Sequence, residues 1–352
     1  MRAQTDCVAF FMETSFHYQV YRNIISHLIS HNVACELVVN DLIEPAFVNE
    51  MISGLRKISM PGLACVSLSS VIKSGKKYRC MISPYYLQYL EKTADIHIRT
   101  LYGLAKNQWN HAEWNTQYDY ILCYSHYTQA SLQCGDKAIV VGNPRFDDWH
   151  NKTYQKALPS ELNINPAKPT LLYAPTYGDL SSLPHWAEKL GRLRQEYNII
   201  AKLHHGTLYR ESERSALKLA QRYLKNIVSD NDLTLTLLEQ ADYVVTDNSG
   251  FIFDAIHADK KVILLNWKEM GKLLADNASY SSPDSPEQKV RAYLPVAEDM
   301  QEIRDYLSAD WPWGEIAPAL QNIKTEYCDA FNDGMAGLRA ALVIIEALRE
   351  QR

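Results

Sequence analysis

The sequence predicts an α/β protein built from two doubly wound, parallel-sheet domains, and three observations carry that prediction. Residues 238–266 read as one complete strand–turn–helix–strand unit. Tyr243-Val244-Val245-Thr246 is a β-branched apolar run, Asp247-Asn248-Ser249-Gly250 supplies turn and helix-capping chemistry, and Val262-Ile263-Leu264-Leu265 is a second apolar run. Strand and helix signals alternate in the same way on both sides of this unit, as they do when helices cover a parallel sheet. The alternation breaks once, at 143–169, where Pro144, Pro159, Pro166 and Pro169 punctuate a polar, turn-rich stretch that reads as an interdomain linker. At 352 residues the chain also exceeds a usual single core. The expected organisation is a first domain over 1–150, a second over 151–325, and a tail over 326–352.

In chain order, Cys7 to Phe11 is the first strand and Tyr18 to Ser30 has helical periodicity. Ala34 to Val39 is a strand, followed by a helix from Glu44 to Leu55. Ala64 to Leu68 and Arg79 to Ser83 are short strands, and Tyr85 to Glu91 reads as a short helix. Asp95 to Ile98, Tyr120 to Tyr124 and Ala138 to Val141 complete the first series. The second begins at Thr170 to Ala174, continues through Asn198 to Lys202, and ends in the 238–266 unit. In the tail, Ala330, Phe331, Met335, Leu338, Leu342, Ile345 and Leu348 fall at helical spacing, which suits a helix packing back on the first domain.

Composition narrows the function classes. A net charge of −5 argues against a general nucleic-acid binder. No apolar run approaches the roughly 20 residues that span a bilayer. The N-terminus passes straight into core-strand sequence, without a basic region or cleavage site. The 7 cysteines are scattered with no C-x-x-C pair, the pattern of reduced cytoplasmic thiols. His27 and His31 stand four apart on a helix, but without a third ligand they read as solvated side chains.

Ligands of parallel α/β sheets bind at the carboxyl ends of the strands. The tips expected there are Gly142-Asn143-Pro144-Arg145, Ala174-Pro175-Thr176-Tyr177-Gly178-Asp179, Lys202-Leu203-His204-His205-Gly206 and Asp247-Asn248-Ser249-Gly250. A helix opening after Ser249 would offer unpaired amides and a favourable dipole to a diphosphate. The same Asp, Asn and Ser would also serve a helix cap on stability grounds alone. Asp179 reads as closing a turn. Glu13 to His17 follow the first strand and could line a second side of a binding site, or equally form a turn with a half-exposed histidine. Most of the 22 tyrosines, Tyr85, Tyr86, Tyr89, Tyr118, Tyr120, Tyr124 and Tyr127 among them, suit core or wall packing, with stacking on sugars as an alternative.

Tyr173-Ala174-Pro175-Thr176, Lys202-Leu203-His204 and Thr246-Asp247-Asn248-Ser249 with a following Asp254 resemble the CDP-glycerol glycerophosphotransferases of teichoic-acid synthesis. Their corresponding stretches run roughly Y-A-P-T, K-x-H-P and T-D-x-S-S with a later D. Gly142-Asn143-Pro144-Arg145 is similar to that family's G-x-P-R element. The likeness spans roughly residues 95–270. It implies the GT-B fold, in which two Rossmann-like domains face a cleft, and transfer of a phosphoalditol from a CDP-activated donor to an acceptor hydroxyl in a cell-surface polymer such as teichoic acid or capsule. It implies catalytic roles for His204 and Lys202, and donor contacts from Thr176, Asp247, Asn248, Ser249, Gly250, Asp254 and Arg145. His17 and Tyr102 would lie on the acceptor side. The expected partners are the nucleotide donor and an oligosaccharide or lipid-linked acceptor, with no nucleic acid. The site would be cytoplasmic, at the inner membrane face, with any membrane attachment peripheral and helped by Lys73-Ser74-Gly75-Lys76-Lys77.

The sequence departs from the family pattern at three places. His205 replaces the proline of K-x-H-P, and Gly250 replaces the second serine, as in the nucleotide turns of other GT-B enzymes. Thr100-Leu101-Tyr102-Gly103-Leu104 occupies the place of W-H-G-T-P without its histidine, with His97 and His111 as alternatives. A nucleotide-sugar epimerase of the UDP-GlcNAc 2-epimerase type and an inactive homologue therefore remain open. No D-x-D pair stands at a strand end, so the expectation is a reaction needing neither metal nor cofactor, with charge met by protein groups. Whether His204 holds phosphate or acts as base stays open.

Overall fold

The structure, a computed structural model, describes residues 4–155 and 157–350. It divides into two compact units: Met1–Tyr102 with His111–Lys152 and Asp329–Arg352, and Gly103–Asn110 with Thr153–Cys328.

The first unit is a seven-stranded sheet made of β1 (Gln4–Met12), β2 (Ala34–Val39), β3 (Leu63–Ser67), β4 (Lys77–Ser83), β5 (Ala94–Thr100), β6 (Tyr120–Cys123) and β7 (Ala138–Val140). Their order is β3-β2-β1-β4-β5-β6-β7, and every pairing is parallel. Successive side chains of Val8–Met12 in β1 bury on opposite faces, which is why that run is apolar throughout. Val8, Phe10 and Met12 pack with Tyr21, Ile24 and Leu28 of the Ser15–Ser30 helix, while Ala9 and Phe11 pack with Leu68, Val71 and Met81.

The Ala336–Glu350 helix completes the first of these layers through Ala340, Ala341, Ile344 and Ala347. Small residues let it approach closely. Its start is held by Asp147, whose carboxylate accepts the amides of Ala336 at 3.0 Å and Gly337 at 2.6 Å. Burial pushes the Asp147 carboxyl up to about 7, against the opposing pull of those two amides.

The second unit contains β8 (Thr170–Tyr173), β9 (Asn198–Lys202), β10 (Asn226–Val228), β11 (Tyr243–Thr246), β12 (Lys261–Leu265) and β13 (Val296–Ala297), all parallel in the order β10-β9-β8-β11-β12-β13. Leu171, Tyr173, Ala201, Val245 and Ile263 form one core layer with Leu183, Trp186, Leu190 and Ile303.

Several details differ from the sequence reading. Tyr85 to Glu91 is not an α-helix. A 3₁₀ segment, Gln88–Thr93, follows instead, and Tyr85 is drawn to the sheet end by its hydroxyl's bond to Glu13. β10 and β13, three and two residues long, are too short to carry a periodic signal. The proline-rich stretch contains helical turns at Pro144–Phe146 and Asp147–Asn151. Gly103–Asn110 belongs with the second unit although it precedes residue 150.

Candidate functional site

In both sheets the strand order reverses beside the first strand of the unit, between β1 and β4 and between β8 and β11. Loops leave such a point in opposite directions and open a crevice.

In the second unit that crevice is strapped by Asp247. Its wholly buried carboxylate accepts the amide of Thr176 at 2.8 Å and the amide of Ser182 at 2.7 Å. Burial raises its carboxyl above the ordinary range, while these amides and the Arg291 charge act the other way. With both oxygens engaged by backbone, Asp247 shapes the turn more than it faces a ligand. Asn248 is similarly committed: its amide nitrogen donates to the Leu180 carbonyl at 2.9 Å, and its oxygen accepts from Gln288 at 2.8 Å. Ser249 accepts the Phe251 amide at 3.2 Å and so retains its own hydroxyl proton for donation. The following helix, Phe251–His257, is short, with Asp254 half-buried in its first turn. Gly250 has an ordinary helical φ of −59°, and a Cβ there would meet nothing closer than 3.9 Å. Its value is an uncovered backbone and not a strained one.

The Lys202–Gly206 segment brings cations to the next strand end. Gly206 N–H donates to His204 Nδ1 at 2.9 Å, so the single proton of a neutral imidazole sits on Nε2. Burial first, then the charges of His205, Lys106, Lys202 and Arg210, drive the His204 pKa well below its ordinary value. The ring stacks on Tyr177, centroids 4.4 Å apart. Lys106 Nζ lies 4.6 Å from the Tyr177 centroid and the Arg210 guanidinium 5.3 Å from it. A Cβ on Gly206 would fall 2.7 Å from the Tyr177 ring, so this approach needs glycine. Lys202 Nζ donates to Asn231 at 2.9 Å. Thr176, Tyr177, Lys202 and His204 thus share one wall, and the group is rich in fixed positive charge.

In the first unit, His17 and Tyr102 are neighbours, ring centroids 6.3 Å apart. His17 Nδ1 accepts the Glu13 amide at 3.1 Å, and burial pushes its pKa down to about 3. Arg145 is buried in the turn after β7, its guanidinium 5.2 Å from the Phe16 ring. His97 lies within β5, and burial and Arg99 push the His111 pKa down to about 4. His27 and His31 meet each other's turn at the helix end, with His31 Nδ1 2.7 Å from the His27 carbonyl.

A sequence model of the CDP-glycerol:poly(glycerophosphate) glycerophosphotransferase family matches residues 97–271. Across that span the chain is similar to this family. No curated protein matches the sequence significantly. Among solved structures, the wall teichoic acid polymerase TagF is similar with a TM-score of 0.72 and 15% identity, over 98% of this chain and 90% of that one. UDP-GlcNAc 2-epimerase from Neisseria meningitidis, bound to UDP-GlcNAc, has a TM-score of 0.58 and 12% identity, covering 99% and 100% of the two chains. S. aureus MnaA in its UDP co-structure has 0.61 and 11%, covering 98% and 97%. These likenesses establish a GT-B-type pair of Rossmann-like units.

Within this framework, Lys106, Tyr177 and Arg210 were not singled out by sequence. Tyr177 immediately follows Thr176, and its aromatic ring beside a His-His pair was the available signal. Lys106 has no local signal, because it arrives on the Gly103–Asn110 excursion into the second unit.

Proposed function

We propose that the protein transfers a glycerophosphate-like group from a CDP-activated donor to an acceptor hydroxyl during synthesis of a teichoic-acid-like surface polymer. The observation that carries this reading is the cationic wall of Lys106, Lys202 and Arg210 around a neutral His204, in a chain similar to the glycerophosphotransferase family. A variant of TagF has been soaked with CDPG, which suits a nucleotide-activated donor here as well.

The acceptor oxygen bonds to the donor's distal phosphorus while its proton passes to solvent water. The phosphoanhydride bond breaks, and CMP departs with the bridging oxygen and its electron pair. Lys202, Lys106 and Arg210 offset the negative charge that develops on CMP. His204 donates Nε2–H to a phosphoryl oxygen. It is a weak base, because Nδ1 is occupied and its pKa is depressed. Ser249 donates its hydroxyl, the Gly250 backbone is open to the phosphate, and Thr176 is positioned by Asp247. Asn248 supports the same turn, and Asp254 adds a carboxylate in the first turn of the helix that follows it. In this reading three protein cations do the work that a divalent ion does elsewhere, so the transfer proceeds without metal.

Incubation with CDP-glycerol and a poly(glycerol phosphate) primer should release CMP in proportion to polymer growth, unchanged by EDTA. Conversion of UDP-GlcNAc in the absence of any acceptor would instead support an epimerase. Nucleotide binding with no turnover of any donor would leave an inactive homologue.

A further inference from the structure

The β1/β4 crevice of the first unit carries a charged and aromatic cluster that donor binding does not use. Glu13 is the first residue after β1. Its carboxylate accepts the Asn40 amide at 2.7 Å from the end of β2, the Tyr85 hydroxyl from beyond β4, and the Tyr89 hydroxyl at 3.4 Å. Three donors from beyond two neighbouring strands, β2 and β4, therefore orient one half-buried carboxylate. His17 stands behind it, with Tyr85 and Tyr102 edge-on at 5.8 and 6.3 Å, and Tyr85 meets Tyr102 at 5.8 Å and 81°. Tyr89, 46% exposed, forms the lip.

We propose that this crevice binds a neutral polyhydroxylated group, a sugar ring or alditol, with Glu13 as its hydroxyl anchor. A carboxylate has about four lone-pair positions, so the three protein donors leave it capacity for a ligand hydroxyl. The tyrosine rings offer apolar faces and polar edges, which suits a ring or chain bearing both C–H and O–H groups. His17 is held as a neutral imidazole with its proton on Nε2, and so adds a donor and no charge. A fixed carboxylate disfavours phosphate at the same spot. The inference rests on the transferase reading in one respect: that reading makes this group the acceptor end of the polymer.

Saturation-transfer NMR on the full chain, with maltose, N,N′-diacetylchitobiose and ribitol as neutral probes and poly(glycerol phosphate) as the anionic one, tests it. At least one neutral probe should receive saturation. Glu13→Gln should weaken its binding about tenfold, and exposed Tyr89→Ala should weaken it several-fold. Both variants should keep the parent's thermal shift with cytidine nucleotides. No transfer to any neutral probe, or unchanged binding in both variants, would overturn the site. Sugar binding without any nucleotide shift would refute the donor reading while supporting this one.

Discussion

Two desolvated histidines, buried His17 and half-buried His204, make acid sensitivity a residue-level property. His17 titrates near 3 and His204 well below 6.5, so the unfolded chain binds more protons than the folded one between these values and about 6.5. Stability contributed by the neutral rings is present above pH 6.5 and is lost as pH falls through that window. Each unit of depression corresponds to about 1.4 kcal/mol. His17→Gln, which keeps an acceptor for the Glu13 amide, should show a smaller fall in urea-unfolding free energy between pH 7 and pH 5 than the parent. A parallel fall in both would refute the buried neutral imidazole. Asp247 makes a different prediction. Asp247→Ala leaves two buried amides unpaired, at roughly 1–3 kcal/mol each, so the second unit should melt several degrees earlier. Ser249→Ala should instead reduce nucleotide affinity with little change in melting temperature.

At the scale of elements, most strands were legible because parallel strands buried on both faces are apolar throughout, as in Phe10-Phe11 and Val244-Val245. β10 and β13 escaped because two or three residues carry no period. His204 was legible from its strand-end position beside Lys202, whereas Lys106 depends on a chain excursion that no local pattern announces. The brace at Asp247 looked like a ligand contact, because a carboxylate in a turn has the same sequence signature in either role. The turn after β7 gives a test of how tightly the C-terminal segment is built in. Gly142 has φ of +93°, and a Cβ would fall 2.8 Å from Asp329 Oδ1 and 3.0 Å from the Ala336 Cβ. Gly142→Ala should therefore cost about 2 kcal/mol or more, read as a lower denaturation midpoint.

Across the whole molecule, no helix among the described residues is long and apolar enough to cross a membrane. The basic stretch at 73–77 is partly neutralised, since Lys76 pairs with Glu36 at 2.5 Å and Lys77 pairs with Asp95. That weakens its case as a lipid-binding patch, and Lys76→Ala should leave vesicle binding unchanged in a sedimentation assay. In the proposed function the second unit holds a cytidine diphosphate donor against Lys106, Lys202, Arg210 and His204. A melting scan with CDP-glycerol tests it most directly, with UDP-GlcNAc as comparison and Lys106→Ala and Lys202→Ala as variants. Selective binding at a hundredfold excess over Kd stabilises the folded state by about 2.7 kcal/mol, a shift of several degrees. The predicted result is such a shift with CDP-glycerol, reduced in both lysine variants and small with UDP-GlcNAc. A shift with UDP-GlcNAc alone, or one indifferent to both lysines, would contradict a cytidine donor held by this wall.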